Sequence, residues 1–303
     1  EAREDYKTYR EKCNEIGKTF EVTPWPLNID FETSSACNFR CIMCPQSDDS
    51  QNFKRGVMKK DLIMKVLDEV KGNVPACKFN WRGEPTLYKD LDEVSKAAKD
   101  AGFIDIAINT NGSYKEPKLF PYFDKVIFSL DGFTKGVYEH IRPGGHFETT
   151  MRNIMWLLSN RKNGKPQVSI QMVVQKENQH QELAIHEFFR GMVDSIVSKP
   201  VAGRTNNKGE YLLGNYKAIG RRSCPHPFWR LMIAYDGTCF GCCADWNEYF
   251  KVGNANTQSI YDIWHGERMT ELRRISREKD YTKSKACENC YVRETWEWEI
   301  ADP

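Results

Sequence analysis

Three cysteines within eight residues are the most concentrated reactive group in the chain. Cys37, Cys41 and Cys44 follow residues 27–33, where apolar and polar side chains alternate as in a half-buried strand. Thiolates this close on one loop can bind zinc or an iron–sulfur cluster, because both accept soft sulfur ligands. A four-iron cluster takes four ligands, so three cysteines leave one iron open to another group. A zinc site completed by a distant ligand and chance clustering are the alternatives.

Composition limits the classes of function. The 303 residues are 40% hydrophobic, and no apolar run approaches the ~18 residues of a membrane span. The 44 basic and 42 acidic residues give a net charge of only +2, and so small a positive charge argues against a nucleic-acid partner. The charged N-terminus lacks the apolar region of a signal peptide, so the eleven cysteines favour metal or redox ligands in a reducing cytosol. We therefore expect a cytoplasmic protein without a membrane partner.

Strand-like and helix-like segments alternate along the first two thirds of the chain. Because parallel strands need helical crossovers, this alternation predicts an α/β fold with a parallel sheet. The candidate functional residues follow strand ends, which places them on one rim of the sheet. The predicted strands are 27–33, 76–81, 104–110, 126–130, 168–174 and 193–197, and the predicted helices are 62–70, 91–101, 151–161 and 182–191.

The Cys-x3-Cys-x2-Cys spacing resembles that of the radical S-adenosylmethionine (SAM) enzymes, and the resemblance extends over residues 27–200. It implies that Cys37, Cys41 and Cys44 hold a [4Fe–4S] cluster whose open iron is chelated by the amino and carboxylate groups of SAM. It also implies a partial (βα)6 TIM-like barrel, into which six βα units fit.

The same resemblance implies the residues that contact SAM. Residues 81–85 (Trp-Arg-Gly-Glu-Pro) resemble the family's Gly-Gly-Glu-Pro turn, with Arg82 in place of the first glycine, so Gly83 and Glu84 are expected to hold the SAM ammonium. The other predicted contacts are Met43 beside the adenine, Ser129 and Arg142 at the carboxylate, Asn109 and Thr110 at the ribose or methionine, and Gln171 and Met172 at the adenosine. For Met43 the alternative is an ordinary apolar loop position, and for Arg142 it is a solvated loop position.

A second group of cysteines begins at residue 224. Two short strands joined by Asp236-Gly237 predict a hairpin, and Ser259 is expected to cap a helix that continues to about Ser276. This order resembles the SPASM/Twitch extension of radical SAM enzymes, a β-hairpin plus helix around an iron–sulfur cluster. The spacing of Cys224, Cys242, Cys287 and Cys290 resembles that of single-cluster Twitch sugar dehydrogenases, with Cys243 as the rival of Cys242. A four-cysteine zinc ribbon is the alternative.

The predicted domains are an N-terminal extension (1–26), a radical SAM partial barrel (27–205) and a Twitch/SPASM-like auxiliary-cluster domain (206–303). The resemblance implies an enzyme with SAM and two [4Fe–4S] clusters, supplied with electrons by a flavodoxin- or ferredoxin-type protein. A 5′-deoxyadenosyl radical would take hydrogen from a carbon of a small-molecule substrate. We expect dehydrogenation of a sugar or aminocyclitol alcohol. The alternatives are a sugar epimerase with Cys239 or Cys243 as hydrogen donor, a SPASM-type peptide maturase, and a non-catalytic zinc-and-cluster scaffold.

Overall fold

The computed structural model describes residues 4–47, 54–200, 223–288 and 290. One mixed sheet organises the described residues, with the strand order β6-β5-β4-β3-β2-β1-β7-β8-β9. Strands β1 to β7 pair in parallel, and β8 and β9 continue the sheet in antiparallel pairing. The strands are β1 (Asn28–Phe31), β2 (Ala76–Lys78), β3 (Asp105–Thr110), β4 (Lys125–Ser129), β5 (Gln167–Val174), β6 (Ser195–Pro200), β7 (Arg230–Ile233), β8 (Thr238–Phe240) and β9 (Lys251–Asn254).

In the described residues, helices follow β1, β2, β4 and β5, whereas residues 111–124 join β3 to β4 without a helix. In the second helix along the chain, apolar residues recur every three or four positions, so its buried stripe faces the sheet. The helices of the described residues are α1 (Glu4–Thr19), α2 (Lys60–Val70), α3 (Leu91–Asp100), α4 (Lys135–Ile141), α5 (Phe147–Asn160), α6 (Glu182–Phe189), α7 (His226–Trp229), α8 (Ile260–His265), α9 (Glu267–Glu278) and α10 (Lys285–Glu288). None of them combines the length and the apolar composition that a membrane-spanning helix needs.

The two faces of the parallel sheet have different chemistry. Side chains alternate along each strand, and one set, which includes Ile29 and Ile170, joins the main hydrophobic core. The other set points inward and is largely polar, as Asp30, Asn109 and Gln171 illustrate. A sheet with one apolar face and one polar face provides space for a polar ligand on the inward side. The predicted α/β fold is confirmed, and the sheet is open, as expected for a partial barrel.

The sequence predicts only a charged extension for residues 1–26, but helix α1 lies within it. Its buried residues Tyr9 and Cys13 pack against Leu27, Ala76 and Ile104, which lie at the N-terminal ends of the first three strands. The helix therefore covers the end of the barrel opposite the rim that carries the cysteine loop.

The predicted Asp236-Gly237 hairpin is confirmed, since β7 and β8 pair in antiparallel with Ile233 opposite Cys239. Gly237 takes a positive φ of 88°, which a glycine adopts without strain. Strand β7 also pairs in parallel with β1, so the C-terminal hairpin extends the sheet of the barrel. The predicted Ser259 cap is present, but the helix ends at His265 and α9 begins after Gly266.

Candidate active site

The loop that carries Cys37, Cys41 and Cys44 begins beyond the C-terminal end of β1. Phe39 anchors it, because this side chain is buried in the main core. The backbone N–H of Arg40 donates to the carbonyl of Pro143 at 2.8 Å, and that of Ile42 donates to the carbonyl of Ile141 at 3.0 Å. The segment after α4 therefore fixes the cysteine loop on the rim of the barrel.

The three thiols of this loop are close enough to influence one another electrostatically. The pKa of Cys37 is raised to about 11 and that of Cys41 to about 12, mainly by burial and in part by the charge of neighbouring Cys44. The N–H of Phe39 points at the sulfur of Cys37 at 3.4 Å, an arrangement that favours a thiolate. Binding of iron would displace the thiol protons. Three soft ligands on one partly buried loop therefore fit a [4Fe–4S] cluster with one open iron.

The turn of residues 82–85 packs directly against the chain that leads to the cysteines. Gly83 has a φ of 74°, and a Cβ there would lie 2.3 Å from the carbonyl oxygen of Ser34. The N–H of Glu84 donates to the carbonyl of Ala36 at 2.8 Å. Only glycine permits so close an approach, so the turn and the cysteine loop have a fixed relative position.

The Glu84 carboxylate is occupied by donors within the protein. Its oxygens accept hydrogen bonds from the N–H and hydroxyl of Thr86, the hydroxyl of Thr110 and the N–H of Asn111, at 2.7 to 3.0 Å. Burial raises its pKa, and these hydrogen bonds, which favour the charged form, oppose the shift. Oε1 accepts three of these hydrogen bonds and Oε2 only that of Asn111, so the contact between this carboxylate and the SAM ammonium stays a prediction. These hydrogen bonds also fix the turn against the end of β3, where Thr110 lies.

We expect Glu84→Gln to lower the free energy of unfolding by about 1–3 kcal/mol, because an amide NH₂ group would face a hydrogen-bond donor. SAM affinity should fall as a consequence of the displaced turn. Thermal unfolding and SAM binding of the iron-loaded protein measure both effects. The matched control is Glu93→Gln, which removes an exposed ion pair with Lys60 and should change neither quantity appreciably. Weaker SAM binding with an unchanged free energy of unfolding would instead favour a direct contact between Glu84 and the SAM ammonium.

Arg82, which stands in place of the first glycine of the family's turn, connects three parts of the protein. Its guanidinium is 1% exposed and makes a bidentate ion pair with Glu32, at 2.6 and 2.8 Å. It also donates to the Glu248 carboxylate at 2.9 Å and stacks over the ring of Trp81. The indole N–H of Trp81 donates to the carbonyl of Cys243 at 2.8 Å. The turn of residues 82–85 is thus joined to the segment that carries the second cysteine group, and only the tertiary structure reveals this connection.

Ser129 and Arg142, the pair predicted at the SAM carboxylate, lie on the same side of the barrel. Ser129 ends β4, and Asp131, two residues further on, forms an ion pair with Arg142 at 2.5 Å. Within the described residues, the buried Nε of Arg142 makes no hydrogen bond. Arg142 also lies close enough to Cys41 to affect the pKa of that thiol. This arrangement is compatible with a carboxylate bound beside the cysteine loop.

The other residues predicted to contact SAM differ in the face of the barrel that they occupy. Asn109 points inward from β3, and its buried Oδ1 has no hydrogen-bond partner among the described residues. The Thr110 hydroxyl faces the other way and donates to Glu84. Met172 is fully buried in the main core on the outward face of β5, so its predicted contact is wrong, and Gln171 is the inward neighbour. Met43 is half-buried on the cysteine loop.

The second cysteine group is assembled from three segments, since Cys287 and Cys290 lie in one turn. Cys224 precedes α7, Cys242 follows β8, Cys287 lies on α10 and Cys290 lies beyond it. Burial raises the pKa of Cys224, and the charges of Cys290 and Cys287 add to the shift, so these thiols are neighbours. Cys242 is influenced by the same three thiols. Ser276 fixes Cys224 by donating to its carbonyl and accepting from its N–H.

Four soft ligands in one partly buried group fit the complete coordination of a [4Fe–4S] cluster. Such a cluster binds each thiolate to a different iron, so its ligands lie farther apart than those of a single ion. Among the described residues, no three His, Cys, Asp or Glu side chains are arranged to hold a single metal ion.

The two remaining C-terminal cysteines have different environments. Cys239 is completely buried in the main core, and its thiol points at the carbonyl of Gly237 at 3.5 Å. Cys243 packs against the small apolar cluster around Met232, hydrogen bonds with Arg230 and lies 3.7 Å from Nδ1 of His226. Cys239 is thus remote from the inward face, whereas Cys243 adjoins it.

Two family models match the chain. The radical SAM superfamily matches residues 31–189, and the SPASM iron–sulfur cluster-binding domain matches residues 224–291. The chain is 26% identical over 277 residues to the SAM-dependent 2-deoxy-scyllo-inosamine dehydrogenase of Niallia circulans, covering 86% of this chain and 91% of that protein. It is also 26% identical to the tungsten-containing aldehyde ferredoxin oxidoreductase cofactor-modifying protein of Pyrococcus furiosus, covering 87% and 86%.

Solved structures of similar fold agree with these matches. The BtrN structure with AdoMet and 2-DOIA aligns with a TM-score of 0.61 and 19% identity, covering 89% of this chain and 94% of that one. Streptococcus suis SuiB bound to SAM aligns with a TM-score of 0.68 and 15% identity, covering 93% and 75%. The matched radical SAM model spans more than half of the chain and contains the cysteine loop, and the SPASM model contains the second cysteine group. The chain therefore belongs to the radical SAM superfamily, as an enzyme that uses SAM and two [4Fe–4S] clusters.

Proposed function

We propose that this enzyme dehydrogenates a hydroxyl-bearing carbon of a sugar or cyclitol, with electrons supplied by a flavodoxin- or ferredoxin-type protein. When bound, SAM and the clusters supply a 5′-deoxyadenosyl radical and an acceptor for the second electron of the oxidation. Cys37, Cys41 and Cys44 would hold the first cluster, and Cys224, Cys242, Cys287 and Cys290 the second.

One observation supports this proposal above the others, namely the set of four mutually close cysteines beside the barrel. Four protein ligands leave no iron open for a substrate, so a cluster held there is suited to accepting an electron. The Trp81 indole connects this region to the barrel through the carbonyl of Cys243. Similarity to an aminocyclitol dehydrogenase over 86% of the chain supports the same chemistry.

Product analysis tests the proposal. Iron-loaded enzyme would be incubated without oxygen with SAM, dithionite and a panel of sugars, cyclitols and their amino derivatives. We expect a ketone product equal in amount to 5′-deoxyadenosine. If 5′-deoxyadenosine formed without any ketone across the panel, the proposed oxidation would be wrong.

Epimerisation is the second candidate, because Cys243 adjoins the inward face of the barrel. An epimerase needs a thiol that returns a hydrogen atom to the substrate radical, whereas an oxidation does not. We expect Cys243→Ala to retain ketone formation. Cys239→Ala is the matched control, since that thiol is buried in the core. A deuterium from heavy water at an inverted stereocentre, lost in Cys243→Ala alone, would establish the epimerase instead.

A further inference from the structure

Three strands of the barrel place charged side chains on the inward face. Asp30 lies opposite Lys78 in the pairing of β1 with β2, and Asn28 lies opposite Arg230 in the pairing of β1 with β7. The intervening residues point outward into the main core, as Cys77 and Leu231 do. These charges are therefore inside the barrel, below the turn that contains Gly83.

The Asp30 carboxylate, which is the negative charge among these side chains, already has a partner at each oxygen. Oδ1 of Asp30 accepts a hydrogen bond from the Asn28 amide at 2.7 Å, and Oδ2 lies 3.3 Å from Nε of Arg230. Within the described part of the chain, the Lys78 ammonium has neither a hydrogen bond nor an ion pair. Lys199 is a third cation near Lys78, and its ammonium donates to the Gln171 amide at 2.8 Å. Two cations, Lys78 and Arg230, thus lie near the Asp30 carboxylate.

We propose that the substrate carries an acidic group, a carboxylate or a phosphate, which Lys78 and Arg230 bind on the inward face of the barrel. This inference rests on the proposed function, because it names the class of alcohol that the enzyme would oxidise. Within the sugars and cyclitols, it favours acidic members over amino derivatives. An arginine fork and a lysine ammonium are the side chains that proteins use for such anions.

The protonation of Lys78 is compatible with this role. Its pKa is lowered to about 8, mainly by burial and in part by Arg230 and Lys199, while Asp30 and Cys243 oppose the shift. At neutral pH the ammonium form still predominates. A bound anion would stabilise that form and raise the pKa. Helix α1 covers the opposite end of the barrel, so an anion would approach these cations from the rim that carries the cysteines.

Equilibrium dialysis of the iron-loaded enzyme with radiolabelled phosphate and, separately, with radiolabelled acetate tests the proposal. We expect at least one of the two anions to bind to the wild-type protein, and the preference between them identifies the acidic group. Lys78→Gln should weaken binding by about tenfold or more, because a charge-assisted interaction is lost. Lys78→Arg should retain most of it. Lys135→Gln is the control, since it removes only an exposed ion pair with Glu148.

No binding of either anion, or binding that Lys78→Gln leaves unchanged, would overturn the inference. Equal loss in Lys78→Gln and Lys78→Arg would do so too, since it would indicate a structural role of the side chain. The iron content of each variant shows that it is folded. Failure of the proposed oxidation is a separate result, because dialysis measures anion binding without turnover.

Discussion

Replacement of Cys37, Cys41 and Cys44 together by alanine should remove about half of the iron and all SAM cleavage. Wild-type protein is expected to hold about eight irons per chain, four in each cluster. The three cysteines lie on one loop, and without them the first cluster has no protein ligands. Iron analysis and assay of 5′-deoxyadenosine after incubation with SAM and reductant measure the two effects.

Two comparisons make this result specific. Alanine at Cys13, a buried thiol of α1 that belongs to neither cysteine group, should leave the iron content and cleavage unchanged. Alanine at Cys224, Cys242, Cys287 and Cys290 together should remove the other half of the iron. SAM cleavage by the loop variant, or stoichiometric zinc in place of four irons in the wild type, would contradict the cluster assignments.

The sequence was informative where local patterns and strand order decide the structure. The alternation of strands and helices predicted a parallel sheet, and the position of the cysteines after β1 placed them on its rim, because parallel strands end at a common edge. The hairpin at Asp236-Gly237 was predictable because its turn chemistry is local.

The sequence was not informative where partners come from distant segments. Arg82 meets Glu32 and Glu248, which are 50 and 166 residues away, so no spacing rule connects them. Met172 was assigned to the wrong face because neighbours on a strand point in opposite directions, and a one-residue choice reverses the prediction. A charged residue within an otherwise apolar strand, as at Lys78, was a signal that could have identified the inward face.

The ion pair of Arg82 and Glu32 should have a large effect on stability. Arg82→Met would leave the fully buried Glu32 carboxylate with a single remaining donor among the described residues, the N–H of Tyr235 at 3.2 Å. Removal of one partner of a buried pair typically costs about 3–5 kcal/mol. We expect a decrease of this size in the free energy of unfolding, measured by urea denaturation without oxygen. Arg274→Met, at an exposed arginine paired with Glu271, should cost at most about 1 kcal/mol.

Two further measurements show whether the lost charge causes the instability. They are the pH dependence of the free energy of unfolding and the stability of the double variant Glu32→Gln/Arg82→Met. Burial raises the pKa of Glu32, and Arg82 is the main group that opposes this, so the folded-state pKa should rise further in Arg82→Met. A carboxyl whose pKa is higher in the folded state than in the unfolded state destabilises the protein above that pKa and ceases to do so as pH falls. The deficit of Arg82→Met should therefore shrink in acid. Glu32→Gln combined with Arg82→Met should recover part of the loss at neutral pH, because no unpaired charge remains buried. If the deficit were independent of pH and the double variant no more stable, Arg82 would act through its packing on Trp81 rather than through its charge.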